Sequence, residues 1–349
     1  MTKLYRKTYA EIDLNNLKYN VNYLVNKLNN YQHHIAVVKA DCYSHYDIKT
    51  INAIISGGIN FLAVATIEEA INIRKYNKKI PILCLGYVYS EDIKFCAKNN
   101  ISVTINSLET ALSIKNYKNL KVHIKLNTNM NRLGINNTKD FDETIKILNT
   151  KNIFIEGIYT HVYNDKSKKD TLNQVDLFKK ITQNYDLTKV PFVHMGASNF
   201  CLNYDKPEFV NTARFGIAMY GLENKDLKST FSLYSHIIQI NEVDGTVGYG
   251  ARYKTNGKEL IAVVPIGYAD GIIRANTGRY VYINNKKYPI VGNICMDMLF
   301  VKVDKSVKLN DQVVLIKDNN HINYIAKYLN TISYEVICSV GKRIPRIYK

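Results

Sequence analysis

HIAVVKADCY (34–43) decides the fold. Ile35 to Val38 form a β-rich apolar run with no polar alternation, the texture of a strand buried on both faces of a parallel sheet. The run stops at Lys39, and lysines are seldom buried without a reason. Seven more runs of this kind follow: FLAVA (61–65), IPILCL (80–85), ISVTI (101–105), KVHIKL (121–126), IFIEGIYTH (153–161), PFVHM (191–195) and ARFGIAM (213–219). Helical patterns fill most gaps. Leu14, Leu17, Val21, Leu24, Val25 and Leu28 share one helical stripe before the first run. Thr66 and Glu69 make a T-x-x-E capping box, and Asp142–Leu148 and Leu172–Ile181 carry further helical patterns. Strand alternating with helix means βαβ units. Eight of them predict a closed (β/α)8 TIM-type barrel, with a doubly wound open sheet as the competing architecture.

Near residue 228 the texture changes to short alternating segments with turn signals. Asn256-Gly257 separates YKT from ELIAVV, and YVYINNKKYPIVG (280–292) reads as a hairpin. VDKSVKLNDQVVLIKDNN (303–320) adds two strands, and one helix, roughly Ile322–Leu329, precedes a terminal strand pair. The expected division is a barrel over 1–228 and a mostly β domain over 229–349.

With 349 residues, 46% of them apolar, the chain can bury a large core without disulfide staples. Collagen-like and disordered classes are excluded. Lys+Arg 47 against Asp+Glu 30 leaves +17, but the excess is spread along the chain. No basic block marks a nucleic-acid partner. The six cysteines (42, 84, 96, 201, 295, 338) form no C-x-x-C and no zinc-ligand spacing. MTKLYRKTYAEIDL lacks the apolar core of a secretory signal, and no apolar run has membrane-spanning length. These features predict a reduced, cytoplasmic protein without metal, membrane or nucleic-acid partners.

Barrel active sites lie at the C-terminal ends of the strands. There the sequence places Lys39, Lys125, Arg132, His161, Ser198 and Arg214. A partly desolvated lysine has a lowered pKa and a nucleophilic amine. Ser198 with the Gly216-Ile217 backbone could cradle a phosphate. Other chemistries fail. GASNF (196–200) has Phe where a nucleophile elbow needs Gly. GYG (248–250) is only a fragment of a dinucleotide fingerprint, and there is no Walker loop and no H-E-x-x-H.

AVVKADCY (36–43), VHIKLNTNMNRLG (122–134), GIYTHV (157–162) and ARFGIAMYG (213–221) resemble, in order, the motifs of alanine racemases, enzymes of the fold-type III pyridoxal-phosphate class. VGYGARY (247–253), PIGYADG (265–271), VGNICMDM (291–298) and YEVIC…RIPRIY (334–348) continue the resemblance through the β domain. It thus runs from about residue 8 to the C-terminus. The resemblance implies racemisation of alanine, feeding peptidoglycan, with pyridoxal 5'-phosphate held covalently on Lys39. A broader-specificity racemase (serine or other) and a non-catalytic pyridoxal-phosphate-binding protein are the alternatives.

The resemblance also implies roles. Tyr43, Ser198, Gly216, Ile217 and Tyr334 would anchor the phosphate. Arg214 would face the pyridine nitrogen; a permanently cationic group there keeps that nitrogen unprotonated and limits side reactions. Arg132 would hold the substrate carboxylate, and Lys125 matches a lysine often carbamylated in the family, which as an anion would orient Arg132. Lys39 and Tyr249 would be the two bases, with Tyr249 helped by a chain Arg214–His161–Tyr249. Tyr249, Met296 and Asp297 would come from the partner's β domain in a homodimer, with Tyr268 and Arg274 supporting. The sequence departs from the family at Ser44 and Tyr46, where glycines are usual, at Asn127, Asn129 and Asn131, at Ala197, and at Asn293. These bear on phosphate affinity and site entrance rather than on the reacting residues.

Overall fold

The computed structural model describes residues 4–349. The chain opens on a short strand, β1 (Tyr9–Ile12). It continues through β2 (His33–Val37), β3 (Phe61–Val64), β4 (Ile82–Cys84), β5 (Ile101–Ile105), β6 (Lys121–Lys125), β7 (Phe154–Tyr159), β8 (Phe192–His194) and β9 (Thr212–Phe215). All eight predicted strands from β2 to β9 are present. Two compact units form among the described residues: Lys18–Cys42 with Ile51–Met219, and 4–17 with Tyr43–Thr50 and Tyr220–Lys349.

In the first unit β2 to β9 make one parallel sheet, in the order β8-β7-β6-β5-β4-β3-β2-β9. β2 pairs with both β3 and β9, so the sheet curls into the expected barrel. The remaining seam, between β8 and β9, has no regular ladder. Asn211 closes it: its N–H donates to Val193 O at 3.1 Å, and its Oδ1 accepts the Val193 N–H at 2.8 Å. A side-chain amide there stands in for a peptide. The Thr66–Glu69 capping box forms as predicted at the start of helix Ile67–Arg74. Helices Thr138–Thr150 and Lys168–Ile181 cover the two expected helical patterns.

The second unit is a nine-stranded sheet plus a small two-stranded one. Strands Tyr280–Ile283 and Lys286–Val291 pair as the expected hairpin, with Asn284 and Asn285 at φ 50° and 63° in its turn. The Asn256-Gly257 turn differs from a hairpin. Tyr253–Lys254 pairs back with Thr246–Val247, whereas Glu259–Val264 pairs with Gln239–Val243 and Leu299–Val303. The terminal strand pair is also corrected. Helix Asn319–Tyr328 is followed by a second helix, Ser333–Cys338, and a single strand, Arg346–Tyr348. That strand's partner is β1, which also pairs with Phe231–His236. No helix among the described residues is long and apolar enough to cross a membrane.

Candidate active site

Lys39 follows β2 at the rim where the barrel strands end. Beyond it the backbone turns left-handed: Ala40, Asp41, Cys42, Tyr43 and Ser44 have φ of 52°, 53°, 55°, 53° and 61°. None is glycine, and each left-handed L-residue costs about 1–2 kcal/mol. The contacts that hold the turn are specific. In the barrel unit, Glu69 Oε1 accepts the Ala40 N–H at 2.6 Å, and Oε2 accepts the Ala65 N–H at 2.7 Å. The carboxylate that caps a helix therefore also fixes the exit of β3 and the start of the lysine turn. In the β unit, Ser44 Oγ donates to Val340 O at 3.0 Å, and Arg346 Nε donates to Ser44 O at 3.0 Å. The Tyr43 ring lies 4.8 Å from that of Tyr220 and 6.1 Å from that of Tyr334. Tyr46, at φ 55°, has the Arg346 guanidinium 4.7 Å from its ring. Ser44 and Tyr46 thus occupy backbone positions that glycine would take without strain, and these contacts compensate.

At the barrel mouth the structure gathers Lys125, Arg132, His161 and Arg214 with Lys39. Lys125 ends β6 and is buried. Arg132 stands exposed on the following loop, which is clamped by Ile135 N–H to Lys125 O (2.9 Å) and Asn127 N–H to Ile135 O (2.8 Å). Burial, then the positive charges of Arg132, Arg214 and Lys39, push Lys125 down to about 8. His161 is driven down to about 3 by burial and then by Arg214, Arg132, Lys125 and Lys39, so it is neutral at pH 7. The charges acting on both groups are all positive, which suits anionic ligands.

Arg214 is the buried arginine of this cluster. Its Nη2 donates to Thr160 O (2.9 Å), Met195 O (2.8 Å) and His161 Nδ1 (3.2 Å). Nη1 bonds His194 Nδ1. Nε makes no hydrogen bond among the described residues. His194 Nε2 then meets His123 Nδ1 at 3.1 Å, and His123 Nε2 meets Glu156 Oε2 at 3.2 Å. Glu156 also accepts from Ser102 and pairs with the Lys121 ammonium at 3.1 Å. Burial opposes ionisation of Glu156, but His123, Ser102 and Lys121 outweigh it and hold the carboxyl down to about 2. Burial foremost lowers both His123 and His194. Gly157 makes room for the chain, since a Cβ there would lie 2.2 Å from His123 Nδ1. The Tyr159 ring stacks on His194, with centroids 4.7 Å apart, and carries Lys125 and Arg214 at 5.8 and 5.5 Å from its centroid.

Ser198 is buried, and its Oγ accepts the Gly216 N–H at 3.0 Å, which leaves the hydroxyl proton to donate. A primary amine, an unbonded guanidinium Nε, this hydroxyl and an excess of positive charge fit a cofactor with an aldehyde, a ring nitrogen and a phosphate.

In the β unit, Tyr249, Tyr268, Arg274, Met296 and Asp297 line one cleft of about 820 Å³. Gly248 and Gly250, at φ 69° and 71°, flank Tyr249 and let its turn protrude, so that Tyr249 is 77% exposed. Asn293 Nδ2 donates to Tyr249 O at 2.7 Å, and Asp297 pairs with Arg343 at 2.7 Å. Tyr334 donates to Glu223 Oε1 at 2.6 Å.

Sequence reading assigned Glu69 only its capping role and did not single out His123, Glu156, Tyr159 or His194. A signal existed: β6 to β9 each carry ionisable side chains inside runs that otherwise read as buried, and buried polar groups need partners.

The chain matches two family domains, alanine racemase, N-terminal domain, over residues 12–224, and alanine racemase, C-terminal domain, over 230–348. It is 36% identical to the alanine racemase of Helicobacter pylori (strain J99 / ATCC 700824), across 99% of this chain and 100% of that one. It is 35% identical to that of Ligilactobacillus salivarius (strain UCC118), across 99% of each. Among solved structures it is similar to alanine racemase from Bacillus anthracis with bound L-Ala-P (TM-score 0.93, 30% identity, 100% and 96% covered). It is also similar to the Bartonella henselae enzyme with covalently bound pyridoxal phosphate (TM-score 0.87, 27% identity, 98% and 99% covered).

Proposed function

The chain belongs to the alanine racemase family, and we infer that it interconverts L- and D-alanine as an amino-acid racemase, supplying D-alanine for peptidoglycan. The observation that carries this is the barrel mouth, where the rim lysine Lys39, Lys125, Arg132 and Arg214 surround a neutral histidine, His161. The cofactor is pyridoxal 5'-phosphate, supported by the donor set there and by the covalently bound cofactor of the Bartonella relative.

When bound, pyridoxal phosphate acidifies the Cα–H of the amino acid joined to it. This chain's residues then do the following. Lys39 anchors the cofactor and moves the Cα proton on one face. Tyr249 moves it on the other. Arg214, with its Nε unbonded among the described residues, would hold the ring nitrogen. It stays a cation at neutral pH, since burial lowers it only to about 10. Arg132 takes the substrate carboxylate. Lys125, lowered to about 8, has enough neutral amine to react with carbon dioxide; the carbamate is an anion that orients Arg132. Tyr43, Ser198, Gly216, Ile217 and Tyr334 anchor the phosphate. His161 links Arg214 to Tyr249, Met296 borders the substrate, and Asp297, Tyr268 and Arg274 support the cleft.

The active unit is a homodimer in which Tyr249, Met296 and Asp297 complete the partner's site. The exposure of Tyr249 and Met296 in their cleft supports this. Residues 1–228 contain the barrel domain and 229–349 most of the β domain, a division supported by the two matched family ranges, although β1 in the first range pairs within the β unit's sheet. The protein acts in the cytoplasm. Racemisation measured over a panel of L- and D-amino acids tests the reading. Alanine should turn over fastest, and preference for serine or a larger substrate would replace alanine as the substrate.

A further inference from the structure

A second cavity, of about 320 Å³, lies wholly within the β unit. One wall is the segment from Gly271 to Asn276, and the other comes from helices Asn319–Tyr328 and Ser333–Cys338. Its lining joins an aliphatic side, with Ile272, Ile316, Ile325, Leu329 and Val336, to a polar one that includes Asn330, Thr331 and Ser339. Among these side chains the fold sets Arg279, which is 1% exposed. Nε donates to Asn276 Oδ1 at 2.6 Å, and Nη1 donates to Tyr280 O and Leu315 O, both at 3.2 Å. Nη2 makes no hydrogen bond, and no carboxylate pairs with the guanidinium, among the described residues. Burial lowers its pKa to about 10, so it remains a cation at neutral pH. A buried cation is costly without a counter-ion, and it also costs to leave its N–H groups unbonded.

We propose that this cavity binds a small aliphatic carboxylate, with the carboxylate on Arg279 Nη2 and the hydrocarbon against Ile325, Leu329 and Val336. The volume stands at the lower end of ligand pockets and suits a molecule of a few carbons. Glu335 lines the cavity and is exposed, which disfavours a second carboxylate and offers an acceptor to an ammonium. Amino acids and simple carboxylates therefore share the chemistry. Both walls continue into residues of the reaction site. Arg274 lies in one, and Tyr334 is next to Glu335 in the other. An occupant would tie the two segments together.

Isovalerate, with L-leucine in a parallel arm, is titrated against holoenzyme by equilibrium dialysis, with saturating alanine filling the reaction site. The wild type should take up about one isovalerate per chain. Arg279→Met and the cavity-filling Val336→Phe should each weaken uptake about tenfold or more, the scale of one charge-assisted hydrogen bond or a blocked pocket. Arg132→Gln should leave uptake intact. Leucine bound at the same site would identify the natural ligand as an amino acid, and leucine excluded would identify it as a simple carboxylate. No uptake by the wild type, or uptake unchanged in Val336→Phe and in any folded Arg279→Met, overturns the proposal. Neither result touches the racemase reading, which rests on other residues.

Discussion

Nη1 of Arg214 donates to Nδ1 of His194, and that bond fixes every proton below it. Nδ1 of His194 must accept, so Nε2 carries the proton and donates to His123 Nδ1. His123 then carries its own proton on Nε2 and donates to Glu156. Two neutral imidazoles join a buried cation to a buried anion with one consistent set of donors. The guanidinium is held in one orientation, with Nε left over.

Glu156→Gln keeps an acceptor for His123 but removes the negative end of the chain. The loss should be about 1.5–3 kcal/mol of stability, the usual worth of a hydrogen bond to a charged group. Arg214 loses its counter-charge, so the alkaline limb of the kcat–pH profile should move to lower pH while KM changes little. A stability loss with an unmoved alkaline limb would make the chain purely structural.

Acid should unfold the protein through its buried histidines. His123 and His194 are lowered in the folded state and return to about 6.5 when unfolded. Below pH 6.5 the unfolded chain therefore binds protons that the folded one refuses, and stability falls as pH falls. Each such proton is worth about 1.4 kcal/mol per pH unit. Glu156, held down to about 2, adds stability that is present above pH 4.5 and lost between there and about pH 2. Urea titrations from pH 7 to 4 measure the slope. A flat profile across pH 6.5–5 would mean that these histidines titrate normally.

What the sequence made legible follows the range of the interactions. The barrel strands read directly, because a strand buried on both faces is apolar throughout. β1 did not, since a four-residue strand takes its identity from partners at 231–236 and 346–348. Asn256-Gly257 signalled a turn correctly but could not say which strands would pair. The rim residues were found one strand end at a time. The Glu156–His123–His194 chain escaped because it joins three strands, and one histidine inside an apolar run looks like ordinary core. Tyr249 is singled out only by its motif, among 27 tyrosines.

Lys125 should make activity depend on carbon dioxide. Its amine, lowered to about 8, is partly neutral at pH 7. In CO2-free buffer kcat/KM should fall about tenfold, the scale of one charge-assisted hydrogen bond to Arg132, and bicarbonate should restore it. Lys125→Ala should be insensitive to both treatments. Full activity of the wild type in degassed buffer would remove the carbamate from the account.

Mixing Lys39→Ala with Tyr249→Phe chains should recover activity that neither has alone. In a composite site one of the two sites of a mixed dimer is intact. Absence of recovery, with subunit exchange demonstrated independently, would place both bases in one chain.

The two-base assignment is tested most directly by proton exchange in Tyr249→Phe. The substitution removes the hydroxyl and keeps the ring, so cofactor binding should persist while kcat falls about 10²–10⁴-fold. In deuterated water, NMR then follows the Cα proton of each enantiomer. With Lys39 alone, D-alanine should exchange its proton faster than L-alanine, whose proton faces the missing hydroxyl. Equal exchange from both enantiomers, or unimpaired racemisation, would contradict the assignment of Tyr249 as the second base.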